Sequence, residues 1–240
     1  MHRFYLKQSL QEGSFVLLDE AIVHQLKSVL KMQAGEEVVL FSDADGLAGW
    51  DFHFHITRFD ASGISGEIIS KIRNDREPKI SLVLFQSVLK KDNMELIFQK
   101  GTEVGITRYV PILSQRSVKT GVNSERAAKI LKEATEQSGR AFVPELNDTV
   151  SFADAVSQVK EDGALTIFAH EDSSAKRLEG VPLSSQRVNL FIGPEGGFTE
   201  REVETARAAG FYVVVLSRRT LRAETAAITA SYFVLHRFGF

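Results

Sequence analysis

From about residue 80 onward the chain alternates short apolar runs with segments of helical period, and this alternation constrains the fold more than any other feature. Ile80–Phe85, Tyr109–Leu113, Leu165–Ala169, Val188–Ile192 and Tyr212–Leu216 read as buried-type strands. Between them, Met94–Val104 and Ser124–Arg140 carry helical periodicity. Thr199-Glu-Arg-Glu202 fits a capping box that opens a helix reaching about Ala209. A last helix near Glu224–Phe238 puts Ala227, Ala230, Phe233 and Val234 on one stripe. Strands separated by helices pair in parallel and are covered on both faces. The expected fold class is therefore α/β with a mostly parallel sheet.

Before residue 80 the texture is different. Arg3–Lys7, Glu37–Ser42, Trp50–Phe59 and Gly63–Ile72 read as β-type runs, with Asp43-Ala-Asp-Gly46 and Asp60-Ala-Ser-Gly63 as turns between them. One helical stretch, about Glu20–Lys31, carries Ile22, Leu26, Val29 and Leu30 at helical spacing. His53 and His55 alternate with Phe52 and Phe54, so both histidines belong on one face of a strand. A small β-rich domain, in barrel form, is expected here. The polar segment Asn74-Asp-Arg-Glu-Pro78 reads as a linker to the α/β part.

Composition narrows the function. The chain has no cysteine, which removes disulfide scaffolds, thiolate metal sites and cysteine nucleophiles together. Its longest apolar run, Phe211–Leu216, falls far short of the ~20 residues of a membrane span. Met1–Lys7 lacks the apolar core of a signal peptide, so a cytoplasmic protein without a membrane partner is expected. A formal charge of −2 argues against wholesale coating of nucleic acid, but leaves room for a local basic site.

In an open parallel sheet, ligands sit outside the carboxyl ends of the strands. Leu165–Ala169 runs into His170-Glu-Asp, Val188–Ile192 into Gly193-Pro-Glu-Gly-Gly-Phe198, and Tyr212–Leu216 into Ser217-Arg-Arg-Thr-Leu-Arg-Ala-Glu-Thr225. The paired glycines suit either a tight strand–helix turn or close approach by a ligand at a helix N-terminus. Leu221-Arg-Ala-Glu-Thr-Ala226 suits either a charged helix start or part of the same site. Neither standard phosphate loop is present, which disfavours nucleotide triphosphatases and dinucleotide enzymes. There is no Ser-His-Asp order and no His-Glu-x-x-His zinc helix. His53 and His55 lack a third ligand and read as solvated strand positions, so no metal is expected. Arg116, Lys119, Arg126, Lys129, Lys132 and Arg140 in one window, Lys90-Lys91, and Arg218, Arg219 and Arg222 fit solvated helix faces or a phosphate track equally well.

Together these segments resemble one family, the RsmE family of ribosomal RNA uridine-N3 methyltransferases in the SPOUT superfamily. The resemblance runs nearly end to end. It includes Arg3-Phe4, His24, Val29-Leu30, Gln99-Lys100-x-Thr102-Glu103-x-Gly105, Pro111, Arg116-Ser117 and Glu133-Ala-x-Glu-Gln-Ser-x-Arg140 before Pro144. Gly193-Pro-Glu-Gly-Gly-Phe198 and Leu221-Arg-Ala-Glu-Thr-Ala226 complete it. One departure is Lys31, where the family usually has arginine; lysine keeps the charge and loses bidentate geometry.

The resemblance implies a PUA-like RNA-binding domain over 1–73 and a SPOUT domain with a deep trefoil knot over 79–240. It implies S-adenosyl-L-methionine as cofactor, held by His170, Gly193, Pro194, Gly196, Gly197, Leu216, Leu221, Thr225 and Ala226. It implies RNA contacts at Arg3, Lys31, Arg116, Lys119 and Arg140. The implied partners are 16S ribosomal RNA in the assembled small subunit and a second copy of the chain. Uracil N3 becomes nucleophilic only when its proton leaves. Arg222 is therefore expected to stabilise charge on the uracil oxygens, with Glu224 orienting it or acting as base. The competing expectations are a SPOUT enzyme acting on another RNA position, a catalytically inactive RNA-binding or ribosome-assembly module, and a hydrolase holding magnesium on Glu195.

Overall fold

The structure is a computed structural model. It describes residues 1–238 apart from 62, 119, 161, 172–175, 183 and 184. The chain divides into two compact units, Met1–Glu77 with Thr135–Val143, and Pro78–Ala134 with Pro144–Phe240.

The first unit is built on a five-stranded sheet in the order β1-β3-β4-β5-β2. Its strands are β1 (Arg3–Tyr5), β2 (Gly13–Leu17), β3 (Glu37–Phe41), β4 (Trp50–Phe59) and β5 (Ile64–Arg73). Only β1–β3 is parallel. Alternation decides which face of β4 is buried: Phe52, Phe54 and Ile56 enter the core, while His53 and His55 share the other face as expected. Helix α1 (Glu20–His24), capped by Asp19 and continued by a π-turn over Gln25–Val29, adds Ile22 and Leu26 to that core. The expected barrel is not closed by hydrogen bonds among the described residues. β1 and β2 remain edge strands, because β1 pairs only with β3 and β2 only with β5.

The sequence pattern did not single out β2. Gly13 and Ser14 dilute its alternation, and only Leu17 is fully buried. The segment Thr135–Val143 also belongs to this unit, although it lies far along the chain. The Tyr5 amide donates to Glu136 Oε1 at 2.9 Å, and the Asn74 side chain donates to Gly139 O at 3.1 Å.

The second unit holds an eight-stranded sheet, running β11-β13-β10-β12-β6-β7-β8, with β9 also on β7. In chain order its elements are β6 (Ser81–Ser87), α2 (Lys91–Val104), β7 (Arg108–Leu113), α3 (Ser124–Ser138, the first unit taking it from Thr135), β8 (Glu145–Leu146), β9 (Val150–Ser151), α4 (Phe152–Lys160) and β10 (Leu165–Ala169). They continue with β11 (Lys176–Arg177), β12 (Arg187–Ile192), α5 (Glu200–Ala208), β13 (Tyr212–Val215) and α6 (Ala223–Phe238). Every pairing described in this sheet is parallel, as the alternation of strands and helices requires.

An aromatic cluster fills one face of this sheet. Phe85 and Phe191 stack with centroids 4.4 Å apart, and Phe168 lies 4.3 Å from Phe198. Helix α4 covers it with Phe152, Ala155, Val156 and Val159, spaced as one helical stripe. The expected capping box is present: Thr199 accepts from the Glu202 amide, and Glu202 accepts from the Thr199 amide at 2.8 Å.

Candidate functional site

Strand β10 pairs with β12 on one side and β13 on the other, all in parallel, so three carboxyl ends lie side by side. Their exit loops converge on one cavity of about 650 Å³. This is where a parallel sheet places a ligand.

The first loop follows β10. His170 is pinned by its amide, which donates to Val214 O at 2.9 Å, and its half-buried side chain lines the cavity. Residues 172–175 of this segment lie outside the described residues.

The second loop follows β12 and brings Gly193, Pro194, Gly196 and Gly197 to the cavity. The Gly197 amide closes a turn onto Pro194 O at 2.9 Å, with Gly197 at φ +68°. That left-handed conformation is one most side chains resist. Gly193 is needed for closeness: a Cβ there would lie 3.1 Å from the Phe198 ring and 3.2 Å from its amide nitrogen. Phe198 is in turn fixed in the aromatic core.

The third loop follows β13 and leads into α6. It contributes Leu216, Leu221, Arg222, Glu224 and Ala226, with Ser217, Arg218 and Arg219 beside them. Arg222 is exposed, whereas Glu224 is buried to 8% exposure. Glu224 Oε2 is fully buried with no hydrogen-bond partner. Arg222 and Glu224 are not bonded to each other, so nothing supports Glu224 as the residue that orients Arg222. Thr225 does not line the cavity. It is exposed on the first turn of α6, and its carbonyl accepts from Thr229 Oγ1.

Three more residues join the site, of which Asn93 and Gln86 belong to none of the sequence motifs. Lys90 and Asn93 reach the cavity from the segment after β6, the strand beside β12. Gln86, buried at the end of β6, donates through Nε2 to Gly193 O at 3.4 Å and to Ser87 O at 3.0 Å. A polar residue closing an apolar strand run was the available signal for it.

The expected RNA contacts divide. Arg116 is exposed and donates to Gly196 O at 2.7 Å, at the edge of the glycine loop. Lys31 is exposed, with φ +53° just beyond the π-turn. Lys119 lies outside the described residues. Arg3, half-buried, and Arg140, buried, are held by partners within the first unit. Arg3 donates to Asp51 at 2.6 Å and to Arg140 O at 3.1 Å, and burial lowers its pKa. Arg140 pairs with Glu77 at 2.7 Å. A buried, paired guanidinium is not free to meet a phosphate.

Among the described residues, no three histidine, cysteine or carboxylate side chains gather as metal ligands. Among them too, no helix is long and apolar enough to cross a membrane.

Residues 76–234 match the family model of the RNA methyltransferase domain. The chain is 31% identical over 235 residues to ribosomal RNA small subunit methyltransferase E of Rickettsia conorii, covering 95% of this chain and 93% of that one. Among solved structures, it is similar to ribosomal RNA small subunit methyltransferase E of Neisseria gonorrhoeae bound to S-adenosyl methionine. That likeness has a TM-score of 0.90 at 30% identity and covers 100% of this chain and 98% of that one. A Legionella pneumophila protein in complex with bound SAM aligns with a TM-score of 0.87 at 30% identity, covering 99% of this chain and 98% of its own.

Proposed function

This chain belongs to the ribosomal RNA small subunit methyltransferase E family, and from that premise we propose that it methylates N3 of a uridine in 16S ribosomal RNA, using S-adenosylmethionine. The observation that carries the reading is the buried Glu224 carboxylate, with one oxygen unpartnered, in the wall of the glycine-loop cavity.

The lining fits that cofactor. An adenosyl group needs an apolar slot with backbone donors and acceptors beside it. Leu216, Leu221 and Ala226 offer the slot, and Gly193, Pro194, Gly196 and Gly197 offer accessible backbone, with His170 at the rim. An unpaired buried carboxylate suits a ligand that arrives with positive charge or N–H donors. When bound, the cofactor supplies an electrophilic methyl group on a sulfonium sulfur. Thr225, away from the cavity, is left out of the set.

The protein's own residues then handle a proton and a charge. Uracil N3 must lose its proton before it can attack, and Glu224, in a cavity wall that also holds His170, Glu171 and Glu195, is the residue assigned to accept it. Negative charge then spreads to the uracil oxygens, where the exposed Arg222 guanidinium stabilises it. N3 lies on the Watson–Crick edge, so the target uridine enters unpaired or extruded.

The reading extends to the rest of the chain. Residues 1–73 act as a PUA-like RNA-binding domain that uses Lys31, and 79–240 form a SPOUT domain with its trefoil knot. Arg116, beside the glycine loop, meets RNA, and Lys119 is a further RNA contact. The substrate is the assembled small subunit, in the cytoplasm. The working form is a homodimer; α2 and α6 leave Leu96 and Tyr232 exposed for it. Sedimentation showing only monomer at working concentration would remove the dimer.

Labelled methyl transfer from S-adenosylmethionine to unmodified small subunits, with naked 16S ribosomal RNA alongside, tests the function. Label in RNA is expected. Cofactor binding without label would keep the pocket and reject the substrate; neither binding nor label would leave an RNA-binding module.

A further inference from the structure

The turn after β7 is anchored, and from it one side chain reaches the glycine loop. The Ser114 amide donates to Ser117 Oγ at 3.1 Å, and the Ser117 amide donates back to Ser114 O at 3.0 Å. The Gln115 amide donates to Glu202 Oε1 at 2.8 Å, and Glu202 is the buried residue of the α5 capping box. The turn is therefore tied to a helix end inside the same unit. Arg116 extends from this base and donates through Nη1 to Gly196 O at 2.7 Å. A Cβ at Gly196 would sit 3.4 Å from Arg116 Cδ, an ordinary van der Waals contact, so the arginine stem runs close along the loop.

A guanidinium carries five N–H donors in a planar fork. Here one is used on the loop, the side chain is exposed, and among the described residues no acid is paired with it. The remaining edge has the geometry that binds a phosphate through two donors. We propose that Arg116 couples RNA binding to the cofactor loop. A backbone phosphate on the free edge fixes the guanidinium, and the fixed guanidinium holds the Gly193–Gly197 loop. This rests on reading that loop as the S-adenosylmethionine site. Holding a long side chain in one rotamer costs entropy. Whichever ligand binds first bears that cost, so the second binds more tightly. By linkage the factor is the same in both directions. Lysine, a single ammonium without the fork, cannot hold the carbonyl and a phosphate in this way.

The test is calorimetry on the full chain with S-adenosylhomocysteine, which carries no methyl group to transfer. Its affinity is measured with and without unmodified 16S ribosomal RNA, and the affinity for RNA with and without it. Wild type is compared with Arg116→Lys, Arg116→Ala and Arg108→Ala. Arg108 pairs with Glu145 at 2.6 Å at the amino end of β7, so its loss removes an exposed charge away from the loop. Wild type and Arg108→Ala are expected to show reciprocal tightening of about 5-fold or more. Both Arg116 variants are expected to bring the factor to about one. Undiminished coupling in Arg116→Ala, or none in wild type, overturns the proposal while leaving the cofactor site in place. Wild type that binds neither S-adenosylhomocysteine nor S-adenosylmethionine defeats the functional reading, and this proposal with it.

Discussion

Arg140 meets Glu77 edge on, Nη2 to Oε2 at 2.7 Å and Nε to Oε1 at 3.2 Å, and Oε1 also accepts the Ala141 amide at 2.8 Å. The pair is nearly closed to solvent, with side-chain exposures of 5% and 16%. It joins the end of the Thr135–Val143 segment to residue 77 within the first unit.

Breaking such a pair from one side strands a buried charge. Arg140→Ala and Glu77→Ala are each expected to cost about 3–5 kcal/mol of stability. The salt dependence of RNA binding should be unchanged in material that stays folded. Denaturant titration with RNA binding at several salt concentrations checks both. A stable Arg140→Ala variant with a shallower salt slope would return Arg140 to the RNA surface.

The glycine loop makes a sharper prediction. At Gly197, alanine must adopt φ +68° at a cost of about 1–2 kcal/mol, or the turn must open. At Gly193, alanine presses on the Phe198 ring, which the core holds. Each substitution is expected to weaken S-adenosylmethionine binding by roughly tenfold. Calorimetry that finds both affinities unchanged would remove the loop from the cofactor site.

Arg222 and Glu224 separate binding from chemistry. Arg222→Ala and Glu224→Gln, assayed at saturating cofactor, are expected to lower kcat by about 10²-fold or more. Near-normal turnover in both would end their assignment as charge stabiliser and proton acceptor.

Tyr5 gives a pH signature. Burial, and then its hydrogen bond to Asp43 Oδ1 at 2.5 Å, push the phenol well above its ordinary range. Its folded pKa is raised, so this stability is full below the unfolded value of ~10 and is lost as pH rises through the folded value. Tyr5→Phe is expected to lower stability by about 1 kcal/mol at neutral pH. It should also flatten the decline above pH ~10, read from denaturant melts across that range. Wild-type and variant curves that stay parallel there would contradict the linkage.

Much of this was legible in the sequence, because periodicity reports burial directly. The strands that end at the cavity are apolar runs, and the Thr199–Glu202 box marks α5 within a residue. Strand-end logic brings His170, the glycine loop and the Arg222–Glu224 segment together from the sequence alone. Helix α4 carries its own signal, Phe152, Ala155, Val156 and Val159 at helical spacing between Asn147-Asp148 and Asp162-Gly163. What the sequence could not show is long-range. Arg3 and Arg140 look like surface cations until Asp51 and Glu77 are placed beside them. Gln86 becomes a site residue only when Gly193 lies within reach, and the hold of Arg116 on the glycine loop shows only when Gly196 does. Thr225 is one residue from Glu224, but a helix turns successive residues by ~100°, and it faces elsewhere.

The most direct test is the identity of the modified nucleoside. Small subunits lacking the modification are treated with the protein and S-adenosylmethionine, the RNA is digested, and the nucleosides are separated and weighed. The account predicts 3-methyluridine in small-subunit RNA, absent with Glu224→Gln. Methyl groups found only on ribose 2′-oxygens or on another base, with N3 of uridine untouched, would contradict it.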